Sequence, residues 1–141
     1  MEFEVSLDPG RWQMDAIFGM LRRAYWCEGI RREIVEEAFR NSMAAGAYKT
    51  DDGRQIGVAR VVTDFATFAW LCDVFVDEAW RGKGVAKRMV EVILTEPRLK
   101  TLRRFCLATR DAQTLYERFG FTPVVAGRWF ERRGPESSWR D

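Results

Sequence analysis

A single α/β domain, built on one mixed β-sheet flanked by helices, is the fold that the sequence predicts. Three observations predict it. A chain of 141 residues with 47% apolar and 13% aromatic side chains is about one domain long and can fill one core. Segments with strand-like alternation or short apolar runs are interleaved with segments of 3–4 apolar spacing. In the second half, a strand, a helix and another strand follow one another as a parallel crossover unit would.

The elements follow in order. Phe3, Val5 and Leu7 alternate with polar neighbours and predict a first strand over 2–7, stopped by Asp8-Pro9-Gly10. Met14, Ile17, Leu21 and Tyr25 share one helical face, and Ile34, Val35, Ala38 and Phe39 share another, with Gly29 interrupting between them. Two strands joined at Asp51-Asp52-Gly53 predict a hairpin, because Asp-Gly readily supplies the positive φ of a tight turn. Residues 68–76, FAWLCDVFV, are apolar on both faces, as a central strand should be. Val85, Met89, Val92 and Ile93 predict a helix that ends before Pro97, and 103–109 predicts a short buried strand. Asp111 is placed to cap a helix over 112–119, with Gly120 as its left-handed C′ residue. Thr122–Val125 and Arg128–Phe130 predict two further strands. Residues 1–132 then form the domain, and 133–141 is a polar tail expected to be mobile.

Composition narrows the partners. Lys and Arg total 23 against 21 acidic residues, so the net charge of +2 supplies no broad field for nucleic acid or an anionic membrane. The basic residues of 83–88 are offset by Glu91 and Glu96, and no aromatics interleave with them, which argues against nucleic acid again. No signal-peptide pattern opens the chain, and its richest apolar stretch, 56–76, is broken by Arg60, Asp64 and Asp73. Cys27, Cys72 and Cys106 are three, widely spaced and without a C-x-x-C pattern, so neither a disulfide framework nor a zinc knuckle is expected. A cytoplasmic protein without a metal fits these features. Histidine is absent, which leaves acid and base chemistry to carboxylates, tyrosines, cysteines or water.

The most informative stretch is DEAWRGKGVAKRM, residues 77–89. A helix N-terminus carries unpaired N–H groups and about half a positive charge, and it binds phosphate when the preceding loop brings its backbone close. Gly82 and Gly84 remove the Cβ atoms that would block such an approach, and Arg81, Lys83, Lys87 and Arg88 add positive charge. A plain surface turn is the alternative. The pattern is neither a P-loop nor a dinucleotide loop, because no Ser or Thr follows a Gly-Lys pair and position 87 is Lys. Spacing adds a second constraint: a helix over 85–95 runs roughly 16 Å from this loop and a strand of about five residues returns a similar distance. Tyr116 is thereby expected at the same sheet edge as Gly82 and Gly84.

With those residues in view, VFVDEAWRGKGVAKRMVEVIL resembles the acetyl-coenzyme A signature of the GNAT superfamily of N-acetyltransferases, its [QR]-x-x-G-x-[GA] core falling on Arg81, Gly84 and Ala86. ATRDAQTLYERFGF, residues 108–121, resembles that family's A-x-x-L-Y-x-x-x-G-F segment. The element order is similar to the family's from about residue 3 to 131. The resemblance implies a mostly antiparallel sheet whose two central parallel strands, 68–76 and 103–109, splay apart to admit acetyl-CoA. It implies that Val74, Phe75 and Val76 pair through their backbone with the pantetheine arm, and that Arg81, Gly82, Lys83, Gly84, Val85 and Ala86 meet the pyrophosphate. Where the family often has an asparagine, this chain has Thr109, whose hydroxyl can still bond an amide.

The implied activity is transfer of an acetyl group to a primary amine, of a small molecule or of a protein, by direct attack in a ternary complex. A main-chain N–H near Val74 to Val76 would stabilise the developing oxyanion. Tyr116 stands where the family's tyrosine acid does and would protonate the leaving thiolate, and Asp73 is the best side-chain candidate for the base, directly or through water. Asp73 could equally be a buried acid paired with an arginine. Tyr25, Trp26 and Trp70 are candidates for an aromatic wall around the acceptor, or simply for core, and Glu28 could attract a cation. The other reading kept is a non-catalytic module that senses acyl-CoA. A homodimer is compatible with both.

Overall fold

A computed structural model gives the fold and describes residues 2–141. Five strands, β1 (Phe3–Ser6), β2 (Met43–Lys49), β3 (Gln55–Thr63), β4 (Phe68–Val76) and β5 (Arg104–Leu107), form one sheet in sequence order. Every neighbouring pair is antiparallel except β4 and β5, which run parallel because helix α3 (Val85–Leu94) carries the chain back between them. The sheet is thus mixed and mostly antiparallel, as the resemblance implies.

Helices cover both faces, which explains why β2 and β3 are buried almost end to end. On one side, α1 (Met14–Arg23) and α2 (Arg32–Arg40) press Ile17, Met20, Leu21, Val35 and Phe39 onto Ala44, Val58 and Phe75. On the other, Val85, Met89, Val90 and Ile93 of α3 pack on Ala47, Ile56, Leu71 and Val76, joined by Tyr116 from α4 (Gln113–Glu117). Burying one such aliphatic or aromatic side chain contributes about 1.5–3 kcal/mol, so the two apolar clusters hold the layers together. The β2–β3 hairpin turns where expected: Gly53 takes φ +75° and its N–H donates to Lys49 O at 3.0 Å. No helix among the described residues is long and apolar enough to cross a membrane.

The structure departs from the sequence expectations toward the C-terminus. Residues 122–125 and 128–130 form no strands. Pro123 has no N–H to give a ladder, and 125–128 bend into a turn closed by Arg128 N donating to Val125 O at 3.3 Å, with Gly127 at φ +83°. Asp111 does not cap α4; the capping position falls on Ala112, which has no side-chain cap, and α4 and β5 are each shorter than predicted. Tyr25 lies past the end of α1. The polar tail is not free: Arg140 pairs with Ile30 as an antiparallel bridge, Arg31 N donates to Trp139 O at 3.0 Å, and Arg22 reaches Asp141 at 2.8 Å.

Candidate active site

The site begins where the two parallel strands part. Their pairing runs from Phe68↔Arg104 to Leu71↔Leu107 and stops, yet β4 continues to Val76. Over that stretch β4 also carries an extra residue: Arg60 faces Cys72 and Val58 faces Phe75, so Asp73 and Val74 together oppose Ala59. Asp73 takes φ +53°, a left-handed conformation that few non-glycine residues adopt and that Asp tolerates best with Asn and His. The bulge and the parting of the strands leave the β5-facing main chain of 72–76 without a strand partner.

β4 leads directly into the glycine-rich turn. Asp77 accepts from Ala79 N at 3.1 Å and shapes a short helical turn, after which Gly82 and Gly84 take φ +76° and +81°. A Cβ at either glycine would meet nothing within 4 Å. Gly84 caps α3 without a side-chain hydrogen bond, and every main-chain N–H from Gly82 to Lys87 donates to no protein acceptor among the described residues. All of these residues except Lys83, whose ammonium lies over the Trp80 ring, line a hollow of about 250 Å³ that also touches Val76, Trp80 and Leu115 of α4. Open N–H groups at the positive end of a helix, over a backbone stripped of Cβ atoms, are suited to a diphosphate. Arg81 differs from the expectation. Its N–H is spent on Glu78 O at 3.4 Å, and its guanidinium folds back to donate to Val76 O at 3.0 Å, over the Phe75 ring. It ties the turn to the end of β4.

Tyr116 is buried against Phe121, ring centroids 5.9 Å apart, yet its hydroxyl has no protein partner and it lines a second, larger groove of about 990 Å³ beside β5. Burial pushes its phenol above the ordinary 10.0, so it stays protonated at neutral pH. Leu115, its neighbour, is the α4 residue that reaches the hollow at the turn. Thr109 also lines the groove, and its hydroxyl accepts from Ala112 N at 3.0 Å, ordering the approach to α4 in the way expected of Asp111.

Asp73 is engaged at both oxygens. Arg60 Nε donates to one at 2.8 Å and Trp26 Nε1 to the other at 2.9 Å, while Arg60 also donates to Ser42 Oγ at 3.0 Å. The ion pair is mostly buried, with side-chain exposures of 18% and 13%. Trp26 packs edge-on to Tyr25 and Phe75, and Arg110, from the loop after β5, lies 3.8 Å over the Tyr25 ring. Tyr25 and Trp26 therefore gather at the bulge, but Trp70 does not join them; it pairs with Trp129 at 5.8 Å. Arg60 and Arg110 were not singled out from sequence. The signal for Arg60 was present, an arginine inside the apolar run IGVARVV beside a strand with one acid. Arg110 carried none.

Two thiols border this network. Burial pushes Cys27 up to about 12 and Cys72 up to about 11 from an ordinary 9.0, with the Asp73 carboxylate adding to both and Arg60 partly offsetting it. In the unfolded chain these thiols ionise near 9, so their stabilising contribution is complete below that pH and is lost as pH rises toward 11–12. The urea midpoint should accordingly fall as the buffer is taken above pH 9, and less steeply in Cys27→Ala. A flat midpoint across that window would refute the assignment.

Comparison with known proteins gives concordant results. The family model described as "Acetyltransferase (GNAT) domain" matches residues 44–123, from β2 through the turn, Thr109 and Tyr116. A crystal structure of a candidate GNAT-family acetyltransferase from Xanthomonas campestris pv. campestris is 38% identical, with a TM-score of 0.89 over 96% of each chain. FG08082 of Gibberella zeae, a candidate acetyltransferase, is 27% identical over 82% of this chain and 76% of its own length. A candidate acetyltransferase structure from Deinococcus radiodurans R1, 21% identical, shares the fold at a TM-score of 0.74 over 94% of this chain and 89% of that one.

Proposed function

The chain belongs to the GNAT family of acetyltransferases, and from that premise we propose that it transfers the acetyl group of acetyl-CoA to the primary amine of a small molecule. The observation that carries the reading is the row of unpaired N–H groups from Gly82 to Lys87, set at the mouth of the wedge between β4 and β5.

In this reading the N–H groups of Gly82 to Ala86 hold the diphosphate, and the freed backbone of Val74, Phe75 and Val76 aligns the pantetheine arm. Acetyl-CoA supplies an activated thioester carbonyl. A main-chain N–H of Val74 to Val76 steadies negative charge developing on the carbonyl oxygen as the amine attacks. The Tyr116 hydroxyl, held protonated by burial, gives its proton to the departing sulfur. Thr109 holds the loop that presents α4. Tyr25 and Trp26 wall the acceptor side, clasped by Arg110. With both oxygens engaged, Asp73 is better read as the strut that holds the bulge and Trp26 than as a base, and the amine's proton passes to water.

Calorimetric titration with acetyl-CoA tests the cradle. Gly84→Val should weaken binding by about 100-fold, roughly 2.7 kcal/mol, because a β-branched residue resists φ +81° and its side chain occupies the anion's space. Equal affinity in both proteins would sink the proposed site. Release of free thiol with a panel of amines then identifies the acceptor.

A further inference from the structure

Residues 24–31 join α1 to α2 and carry Tyr25 and Trp26, which gather at the bulge of β4. This segment supplies little main-chain bonding to itself. Two turns do so among the described residues, closed by Cys27 N on Ala24 O at 3.2 Å and by Ile30 N on Cys27 O at 3.0 Å. The groups at 28–31 find their partners elsewhere.

The polar tail provides them. Asp141 N donates to Gly29 O at 3.0 Å, Arg140 Nε to Glu28 O at 2.7 Å, and Arg31 N to Trp139 O at 3.0 Å. In return the Arg31 guanidinium donates to the carbonyls of Ser137 at 3.4 Å, Ser138 at 3.1 Å and Arg140 at 3.4 Å. Contact is close enough that a Cβ at Gly29 would meet the Arg140 stem at 3.1 Å, and Trp139 packs on the apolar cluster that holds Cys27. Among the described residues, every polar contact that 136–141 makes beyond its own turn falls on residues 22–31, the Arg22–Asp141 ion pair included. None reaches β4, the glycine turn or α4.

We propose that residues 136–141 brace the acceptor wall, and that Arg31 and Arg140 are positioning residues which hold 24–31 so that Tyr25 and Trp26 are in place before the amine arrives. Trp26 is already tied to β4 through Asp73, and Tyr25 to the loop after β5 through Arg110, but neither tie restrains 28–31. The tail is the third support. A wall that is ordered in advance relieves the ligand of the cost of ordering it on binding. Because the amine meets this wall in the ground state and in the transition state alike, loosening the wall weakens both equally and leaves the chemical step as it was. The acceptor role rests on the acetyl-transfer reading; the bracing of the loop does not.

Arg31→Ala and Arg140→Ala in the full chain test this. Hydrogen exchange should open the amides of 24–31 about fivefold or more faster in either variant, with those of β2 and β3 unchanged. Thiol release with the fastest of a panel of primary amines should show KM for the amine raised about tenfold and kcat within about twofold of the unaltered protein, while calorimetry gives the same acetyl-CoA affinity. Faster exchange with an unchanged KM, an equal loss of kcat and kcat/KM, or weaker acetyl-CoA binding would each overturn the positioning role, and unchanged exchange would overturn the brace itself. Absence of thiol release with every amine, alongside faster exchange confined to 24–31, would count against the transferase reading alone.

Discussion

Tyr116→Phe is expected to lower kcat for acetyl transfer by about 100-fold or more, the range general acid catalysis supplies, while acetyl-CoA affinity stays as in the unaltered protein. The substitution removes one oxygen. The ring keeps its packing against Phe121, and the lost hydroxyl had no protein partner, so the fold should not suffer. Because burial raises the phenol above 10.0, the acid form persists throughout the neutral range, and the rate of the unaltered enzyme should show no loss from this group below that pH. Steady-state kinetics by thiol release and calorimetry on the same preparation give both numbers. An unchanged kcat would remove Tyr116 from the reaction and leave it as a packed side chain.

The second large effect concerns Arg60. Its replacement by Met should destabilise the fold by about 3–5 kcal/mol, because a mostly buried carboxylate, Asp73, would be left without its counter-charge. For a domain of this size that corresponds to a fall in Tm of roughly 10 °C or more. Asp73→Asn should also be destabilising, since Asn tolerates φ +53° and can still accept from Trp26 but leaves Arg60 unpaired. Combining the two substitutions should recover much of the loss, as the isolated charge is then gone. If instead Asp73→Asn kept its full Tm and lost kcat by 100-fold, Asp73 would be the base and the strut reading would fail.

The same pair marks where reading from sequence stops. That Asp73 faces either substrate or an arginine was visible in its place on an apolar strand. Which of the two holds depends on the bulge that brings Arg60 on β3 to within 2.8 Å, and a single extra residue in one strand leaves no periodic trace. The C-terminal segment shows the converse error. Residues 122–130 have strand composition, but a strand exists only where its residues pair with a neighbouring edge, and among the described residues this segment pairs with none. Thr109 and Asp111 likewise compete for the same loop, and only folded distances put the Thr109 hydroxyl on Ala112 N.

What the sequence determined by itself is local and periodic. The apolar spacing specified α1 to α3 and β1 to β4, the Asp-Gly pair the hairpin, and the two glycines the tight turn before α3, because each rests on conformational preferences of residues close in the chain. Tertiary structure alone decided the parting of β4 from β5, the Trp26–Asp73–Arg60 network and the absence of strands in 122–130, since these arise from contacts between residues far apart in sequence whose energies depend on which groups packing brings within hydrogen-bond reach.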